Sequence, residues 1–173
     1  MFKGFILGIL TTIVLAAVGA YIVVQSGIIP ANADAKPIWL ESWAAETSLR
    51  ETLGREAPKG ANPIPLTDEN LIAGIKLYGQ HCAFCHGTAK GDTSATPVAK
   101  GLYPDPPQLA KDGVEDDPQG FSFWKIKHGI RWTGMPSWKG TLTDVQIWTL
   151  ALFLKHMDKL PPAAEAEWQK VQN

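Results

Sequence analysis

Two thiols and an imidazole stand close together in the run Cys82-Ala83-Phe84-Cys85-His86, at a spacing that suits covalent capture of a porphyrin. A C-x-x-C-H run is the attachment motif of a c-type haem, because each thiol can add to one vinyl group of the macrocycle. His86 is then placed to coordinate the iron on one side. Cys82 and Cys85 are the only cysteines of the chain, so any other interpretation must use the same pair.

The same pair of thiols allows two other interpretations. A thioredoxin-like redox motif has this spacing, but it normally belongs to a βαβ pattern, and nothing of that kind surrounds Cys82 and Cys85. A zinc site would need two further ligands, for which the chain offers three other histidines, His81, His128 and His156. We predict haem attachment in preference to both.

The candidate for the second axial ligand is a methionine. A haem iron needs a sixth ligand or an open position, and a Met thioether opposite His86 is a common partner that raises the reduction potential. Met135 lies in a loop bracketed by glycine and proline, which can hold a side chain at a fixed orientation. Met157 falls near the end of a predicted helix, where packing is the ordinary role of methionine. We predict Met135, with Met157 and His128 as alternatives.

Arg131 and Trp138 flank the predicted methionine loop. Arg131 could pair with a haem propionate, since a buried carboxylate requires a charge-assisted partner, and Trp138 could donate its indole N–H to the same group. The alternatives are a surface charge for Arg131 and packing against the porphyrin for Trp138. Both are candidate cofactor-binding residues.

The segment from about Pro65 to Leu160 resembles a class I cytochrome c, a monohaem, His/Met-ligated electron carrier. The first helix of the family, which runs into the haem site, resembles Gly74-x-x-x-Tyr78-x-x-x-Cys82-x-x-Cys85-His86. The methionine loop of the family resembles Gly134-Met135-Pro136. Its last helix resembles Leu142-Thr143-Asp144 followed by residues 147–154. The resemblance implies an all-α fold, with a helical domain around a covalently bound haem and an N-terminal transmembrane helix before it. The chain would be a membrane-anchored bacterial member of that family.

The resemblance also implies roles for residues outside these motifs. In the family, a loop proline carbonyl accepts a hydrogen bond from the other ring nitrogen of the haem histidine, which orients the ring and raises its basicity. Pro106 and Pro107 are both candidates for this proline. A glycine and an aromatic residue of the family's first helix meet an aromatic residue of the last, and here these would be Gly74, Tyr78 and Phe153.

The N-terminal segment contains a run of 20 residues without a charge, Phe5 to Val24, with Lys3 just before it. A membrane-spanning helix needs about 20 apolar residues, whereas the apolar region of a signal peptide usually has about 7–15. Ala31-Asn32-Ala33 has the A-x-A form of a cleavage site. We predict a retained anchor over residues 1–29, with a cleaved signal sequence as the alternative. Lys3 indicates a cytoplasmic N-terminus. The resemblance implies haem attachment outside the cytoplasmic membrane, so we expect the haem domain on the periplasmic face of the inner membrane.

The rest of the chain divides into a linker, the haem domain and a C-terminal tail, over residues 30–65, 66–160 and 161–173. Prolines punctuate the linker, and the stretch from Ile38 to Leu53 has the pattern of a short amphipathic helix. Its Trp39 and Trp43 would lie either at the level of the lipid headgroups or against the haem domain.

Helix starts are predicted from polar residues ahead of the apolar runs. Thr67 is a predicted N-cap, with Asp68 and Glu69 at the favoured end of the helix dipole. The last helix is predicted to begin with a capping box from Thr141 to Asp144.

The predicted function is electron transfer. The net charge of −1 argues against nucleic acid as a partner. We expect a membrane-tethered cytochrome with one covalently attached haem c that carries single electrons between respiratory membrane complexes or periplasmic dehydrogenases. It would be an electron carrier rather than an enzyme, either alone or as the electron-transfer subunit of an oxidoreductase complex. The alternative is a haem-based ligand-binding, sensing or peroxidase-like protein with a displaceable sixth ligand.

Overall fold

The computed structural model describes residues 2–91 and 96–172, and the chain divides into two units, Met1–Lys36 and Pro37–Asn173. All regular elements within these residues are helical, and none of them is a strand, so the predicted all-α fold is confirmed. In chain order the α-helices are α1 Phe2–Gln25, α2 Trp39–Glu56, α3 Asp68–His81, α4 Ala83–His86, α5 Pro97–Lys100, α6 Gln119–His128, α7 Asp144–His156 and α8 Pro162–Trp168. A short 3₁₀-helix, Val114–Asp116, precedes α6.

The first unit is dominated by α1, an apolar helix of 24 residues. Its mean hydropathy of 2.4 and its length are those of a helix that can cross a membrane, although a signal sequence near the N-terminus meets the same criteria. The hydroxyls of Thr11 and Thr12 donate to the carbonyls of Leu7 and Gly8 at 2.9 and 3.0 Å. Both hydroxyls are therefore satisfied within the helix, as an apolar environment requires.

The second unit is organised around the crossing of α3 and α7. Thr67 caps α3 by accepting a hydrogen bond from the backbone N–H of Asn70, in agreement with the prediction. The buried face of α3 meets α7 so closely that a Cβ on Gly74 would lie 2.7 Å from the Cβ of Phe153. The absence of a side chain at Gly74 is what permits this approach.

Three aromatic rings fill the space beside the crossing. Tyr78 and Phe153 meet edge to face with ring centroids 5.5 Å apart, and Trp168 of α8 lies 5.2 and 5.1 Å from them. Pro161 and Pro162 favour the start of α8, and Ala164 and Trp168 on this helix are both buried. Residues 161–173, described above as a tail, therefore include a helix that completes the core.

The start of α7 differs from the prediction. The predicted capping box from Thr141 to Asp144 is wrong, because the N-cap is Thr143 and its box partner is Gln146. The Thr143 N–H donates to the Gln146 side chain at 2.9 Å. Leu142, just before the cap, is buried with Ile147, and this hydrophobic staple moves the first turn two residues along the chain.

The stretch from Ile38 to Leu53, predicted to form a short helix within the linker, lies almost entirely in α2, which runs from Trp39 to Glu56. Helix α2 has 18 residues, and its C-terminal end packs on the haem domain through the buried side chains of Leu53 and Ala57. The carbonyl of Pro58 closely approaches Gly120 at the start of α6, where a Cβ would overlap it. Residues 37–65 thus belong to the same unit as the predicted haem domain.

The close crossing generates a test. Gly74→Ala is expected to lower the free energy of unfolding by about 2–3 kcal/mol, because the added methyl overlaps both Phe153 and the backbone carbonyl of Thr149. Chemical denaturation followed by circular dichroism measures the change. The matched control is Gly54→Ala in α2, which has open space around it and should instead stabilise the protein by about 0.5–1 kcal/mol. Equal effects at the two sites would contradict the proposed role of Gly74.

Candidate functional site

The three residues of the C-x-x-C-H motif are wound onto one turn at the end of α3. Cys82 terminates α3, and its N–H donates to the carbonyl of Tyr78 at 2.8 Å. The N–H groups of Cys85 and His86 then both donate to the Cys82 carbonyl, at 3.0 and 2.9 Å. The two thiols and the imidazole are thereby presented by a single, backbone-bonded turn.

A buried residue of the core holds this turn by a hydrogen bond. The hydroxyl of Tyr78 donates to the carbonyl of Gly87 at 2.9 Å, and Gly87 ends the turn with a φ of +78°. Burial raises the pKa of Tyr78, so the phenol stays protonated and remains a donor. On the other side, the Thr96 hydroxyl donates to the carbonyl of Phe84 at 2.7 Å. Tertiary hydrogen bonds therefore fix the motif on both sides.

The imidazole of His86 is oriented by the proline loop. Its Nδ1 lies 3.0 Å from the carbonyl oxygen of Pro107, so of the two candidate prolines Pro107 makes this contact and Pro106 does not. Because a carbonyl can only accept, Nδ1 carries the hydrogen and Nε2 keeps its lone pair. Burial lowers the pKa of His86, although the bond to Pro107 opposes the shift. A neutral imidazole with Nε2 available is the form that ligates a metal.

Met135 lies in a tight, internally bonded loop. The N–H of Ile130 donates to the Met135 carbonyl at 3.2 Å, and the Met135 N–H donates to the Thr133 hydroxyl at 3.0 Å. The Thr133 hydroxyl in turn donates to the carbonyl of Ile130 at 2.8 Å. The Met135 side chain is half-buried against the core. The backbone around this methionine is consequently held by several bonds at once.

The same loop caps the C-terminus of α6, whose last carbonyls lack partners within the helix. The N–H groups of Trp138 and Lys139 donate to the carbonyls of Ile126 and Lys127, at 3.2 and 3.1 Å. Gly129 makes the turn between helix and loop with a φ of +67°. The methionine loop is thus anchored by backbone bonds to the end of α6.

The proline and methionine loops also touch each other. Leu102, at the start of the loop that leads to Pro107, lies so close to Gly134 that a Cβ there would be 2.5 Å from Leu102 Cδ2. The structure therefore joins the segment that supports His86 to the segment that carries Met135.

The other candidate residues are placed as follows. Trp138 is half-buried, with its ring 5.1 Å from that of His81, and Arg131 is exposed. Met157 is buried in the core. His128 is exposed and its ring lies 4.9 Å from that of Trp124.

Trp132, which also flanks the methionine loop, has an unusual backbone conformation. Trp132 is 83% exposed and has a φ of 65°, in the left-handed region that bulky side chains rarely adopt. The sequence does not reveal this conformation, because a tryptophan between Arg131 and Thr133 is ordinarily expected in extended or helical backbone.

The environment of the thiols disfavours a thioredoxin-like role. Burial raises the pKa of Cys82 to about 12 and also raises that of Cys85. A redox-active C-x-x-C pair requires the opposite shift, toward the thiolate. The zinc alternative also lacks support, because no group of three or more His, Cys, Asp or Glu side chains comes together in the parts of the chain that the structure describes.

Two lysines of α6 form ion pairs within the chain. Lys125 lies 2.7 Å from Asp117, and Lys127 lies 2.8 Å from Asp144. Their charges are partly compensated, so neither lysine stands out as a free cation for steering an acidic partner.

The donor set fits haem c. Two adjacent thiols, a neutral imidazole with one free nitrogen and a half-buried thioether are the groups that such a cofactor requires, and here they adjoin an all-helical core. The chain belongs to the c-type cytochrome family. Residues 69–154, from the first turn of α3 into α7, match the family model of cytochrome C oxidase, cbb3-type, subunit III. No curated protein and no solved structure matches the chain.

The junction between α6 and the methionine loop generates a second test. Gly129→Ala combines a left-handed backbone with a Cβ that would lie 2.7–2.8 Å from backbone atoms of Met135, Pro136 and Ser137. We expect a loss of about 2–4 kcal/mol in unfolding free energy. Gly140→Ala, in open space a few residues further, is the control and should change stability little. Calorimetric melting of both variants checks the contrast, and a Gly129→Ala protein as stable as the parent would refute it.

Proposed function

We propose that this chain is a membrane-tethered monohaem cytochrome c that carries single electrons through an iron ligated by His86 and Met135. The observation that carries the proposal is the motif turn, in which the His86 Nδ1 is engaged by Pro107 and leaves Nε2 free. Bound haem supplies a one-electron couple between ferric and ferrous iron. All other requirements fall on the chain's own residues.

His86 and Pro107 would set the proximal side. A hydrogen bond of 3.0 Å from the ring to a backbone carbonyl fixes the tautomer and the ring plane. Such outer partners also raise the basicity of a ligating histidine. Cys82 and Cys85 would form the two thioether links, and no other cysteine competes for them.

Met135 would be the opposite ligand. It is half-buried in a loop fixed by backbone bonds, whereas Met157 is buried among core residues and exposes only 8% of its surface. Packing accounts fully for Met157, and the bonded loop around Met135 provides the fixed orientation that a ligand needs. With His86 and Met135 both bound to it, the iron would offer no site to a substrate. Similar ligation in both oxidation states, in a mostly apolar shell, favours fast electron transfer.

Trp138 and Arg131 are proposed to contact the haem periphery. Trp138 lies half-buried in the chain segment that caps α6, and exposed Arg131 begins the methionine loop. Arg131 would pair with a propionate at the edge of the site, where its guanidinium stays accessible to solvent.

The location and partners follow from α1 and from the family. Retention of α1 would tether the haem domain to the periplasmic face of the bacterial inner membrane and raise its effective concentration near membrane partners. The matched family is, by its description, a subunit of a cbb3-type oxidase. We therefore favour a respiratory membrane complex as the electron partner, with the chain as its donor or as its electron-transfer subunit.

The ligand assignment is tested by Met135→Ala. The oxidised parent protein should show the weak near-infrared band of methionine bound to ferric iron, and Met135→Ala should lose it. The reduced parent should not bind carbon monoxide, whereas the variant should bind it readily, because one axial position has been opened.

Met157→Ala is the matched control. It should keep the near-infrared band while losing about 2–5 kcal/mol of stability, since it empties a buried site. Loss of the band in Met157→Ala alone would overturn the choice of ligand. Carbon monoxide binding by the native reduced protein would instead favour the ligand-binding or peroxidase-like alternative.

Covalent attachment is tested by the double variant Cys82→Ala/Cys85→Ala. It should retain no haem on a denaturing gel stained for haem peroxidase activity. Its domain should also be largely unfolded by circular dichroism, because the cofactor is expected to supply much of the core. A well-folded, haem-free double variant would contradict a haem-centred core.

A further inference from the structure

The N-terminal half of α2 exposes a cluster of large apolar side chains. Ile38, Trp39, Leu40 and Trp43 are 57, 77, 47 and 58% exposed, and we refer to them as the α2 patch. Trp39 and Trp43 are four residues apart and share one face of the helix. Single exposed apolar residues are ordinary, but four within six positions form a contiguous surface that indicates an interaction.

The exposure of the patch does not arise from a detached helix. The other end of α2 is fixed to the haem domain by Leu53 and Ala57, which are 5 and 3% exposed. The Pro58 carbonyl also packs on Gly120 at the start of α6. One helix therefore has a docked end and an undocked apolar end, and the patch is carried rigidly by the haem domain.

The chain connects this patch to the apolar helix α1 by a short segment. Residues 26–38 separate Gln25 from Trp39, and this segment includes Gly27, Pro30 and Pro37. Fully extended, such a segment reaches at most about 45 Å. If α1 is retained in a bilayer, as proposed above, the patch cannot leave the neighbourhood of that bilayer's surface.

The chemistry of the patch suits lipid headgroups. Tryptophan is enriched at membrane interfaces, because its ring is largely apolar while its indole N–H can still be hydrated or hydrogen-bonded. A helix with an apolar face can lie at the boundary between headgroups and acyl chains. The patch is too small for strong binding alone, but a tether makes the contact intramolecular and raises its occupancy.

We propose that the α2 patch inserts into the headgroup region of the membrane that holds α1, and that this contact orients the haem domain. Because Leu53 and Ala57 fix α2 to the haem domain, the contact would hold that domain in one orientation against the bilayer.

The experiment uses the full-length holoprotein in nanodiscs of phosphatidylcholine, at one chain per disc. An environment-sensitive nitrobenzoxadiazole dye is attached at Leu40→Cys, and in a second protein at Glu51→Cys, which lies on the same helix face three turns toward the docked end. We expect the label at position 40 to emit at shorter wavelength and to lose most of its intensity when shallow doxyl-labelled lipids are added. The label at position 51 should emit as in water and remain unquenched. Trp39→Ser/Trp43→Ser should abolish the lipid quenching at position 40.

Three results would overturn the proposal. In the first, the label at position 40 emits as in water although the chain stays with the discs. This result would leave the tether and the electron-transfer function unaffected. Another is a shifted emission that doxyl lipids do not quench, which would assign the patch to protein or haem contact. The third is release of the chain from vesicles at alkaline pH, which would remove the anchor as well. The near-infrared band of the holoprotein is recorded in parallel, so that failure of the haem assignment is distinguished from failure of the membrane contact.

Discussion

The close approach of α3 and α7 at Gly74 is the constraint on which the rest of the second unit depends. Because no side chain separates the helices there, Tyr78 and Phe153 can meet edge to face, and Trp168 closes the cluster from α8. Tyr78 then reaches Gly87 with its hydroxyl. The position of the C-x-x-C-H turn is therefore set by a helix crossing that lies about two turns before it in the chain.

Sequence patterns predicted the parts of this arrangement that depend on local chemistry. Thr67 caps α3 because its hydroxyl meets an N–H three residues on, which any chain with that start would reproduce. The inward stripe of α7 follows from helical period, and Ile147 and Leu150 are fully buried. The capping box at Thr141 was wrong by two residues, since several polar residues compete for one cap and the burial of Leu142 decides between them.

The parts that sequence could not predict depend on the path of the backbone in space. Pro106 and Pro107 are chemically equivalent, and only the direction of a carbonyl determines which one meets His86. Helix α8 is short and begins with prolines. The inward position of its one large apolar residue, Trp168, follows from the space beside Tyr78, which the sequence does not show. The docking of α2 likewise rests on contacts between Pro58 and Gly120 that no periodicity encodes.

The bonding of the methionine loop to the end of α6 has a consequence for the energetics of ligation. The hydrogen bonds at Ile130, Thr133 and Trp138 order this segment as the domain folds, independently of any bond to sulfur. Once the domain has folded around its cofactor, these bonds restrict the loop whether or not Met135 is bound to the metal. A preorganised donor of this kind binds at little further cost in ordering. The loop would therefore keep the same conformation when the charge of the iron changes by one.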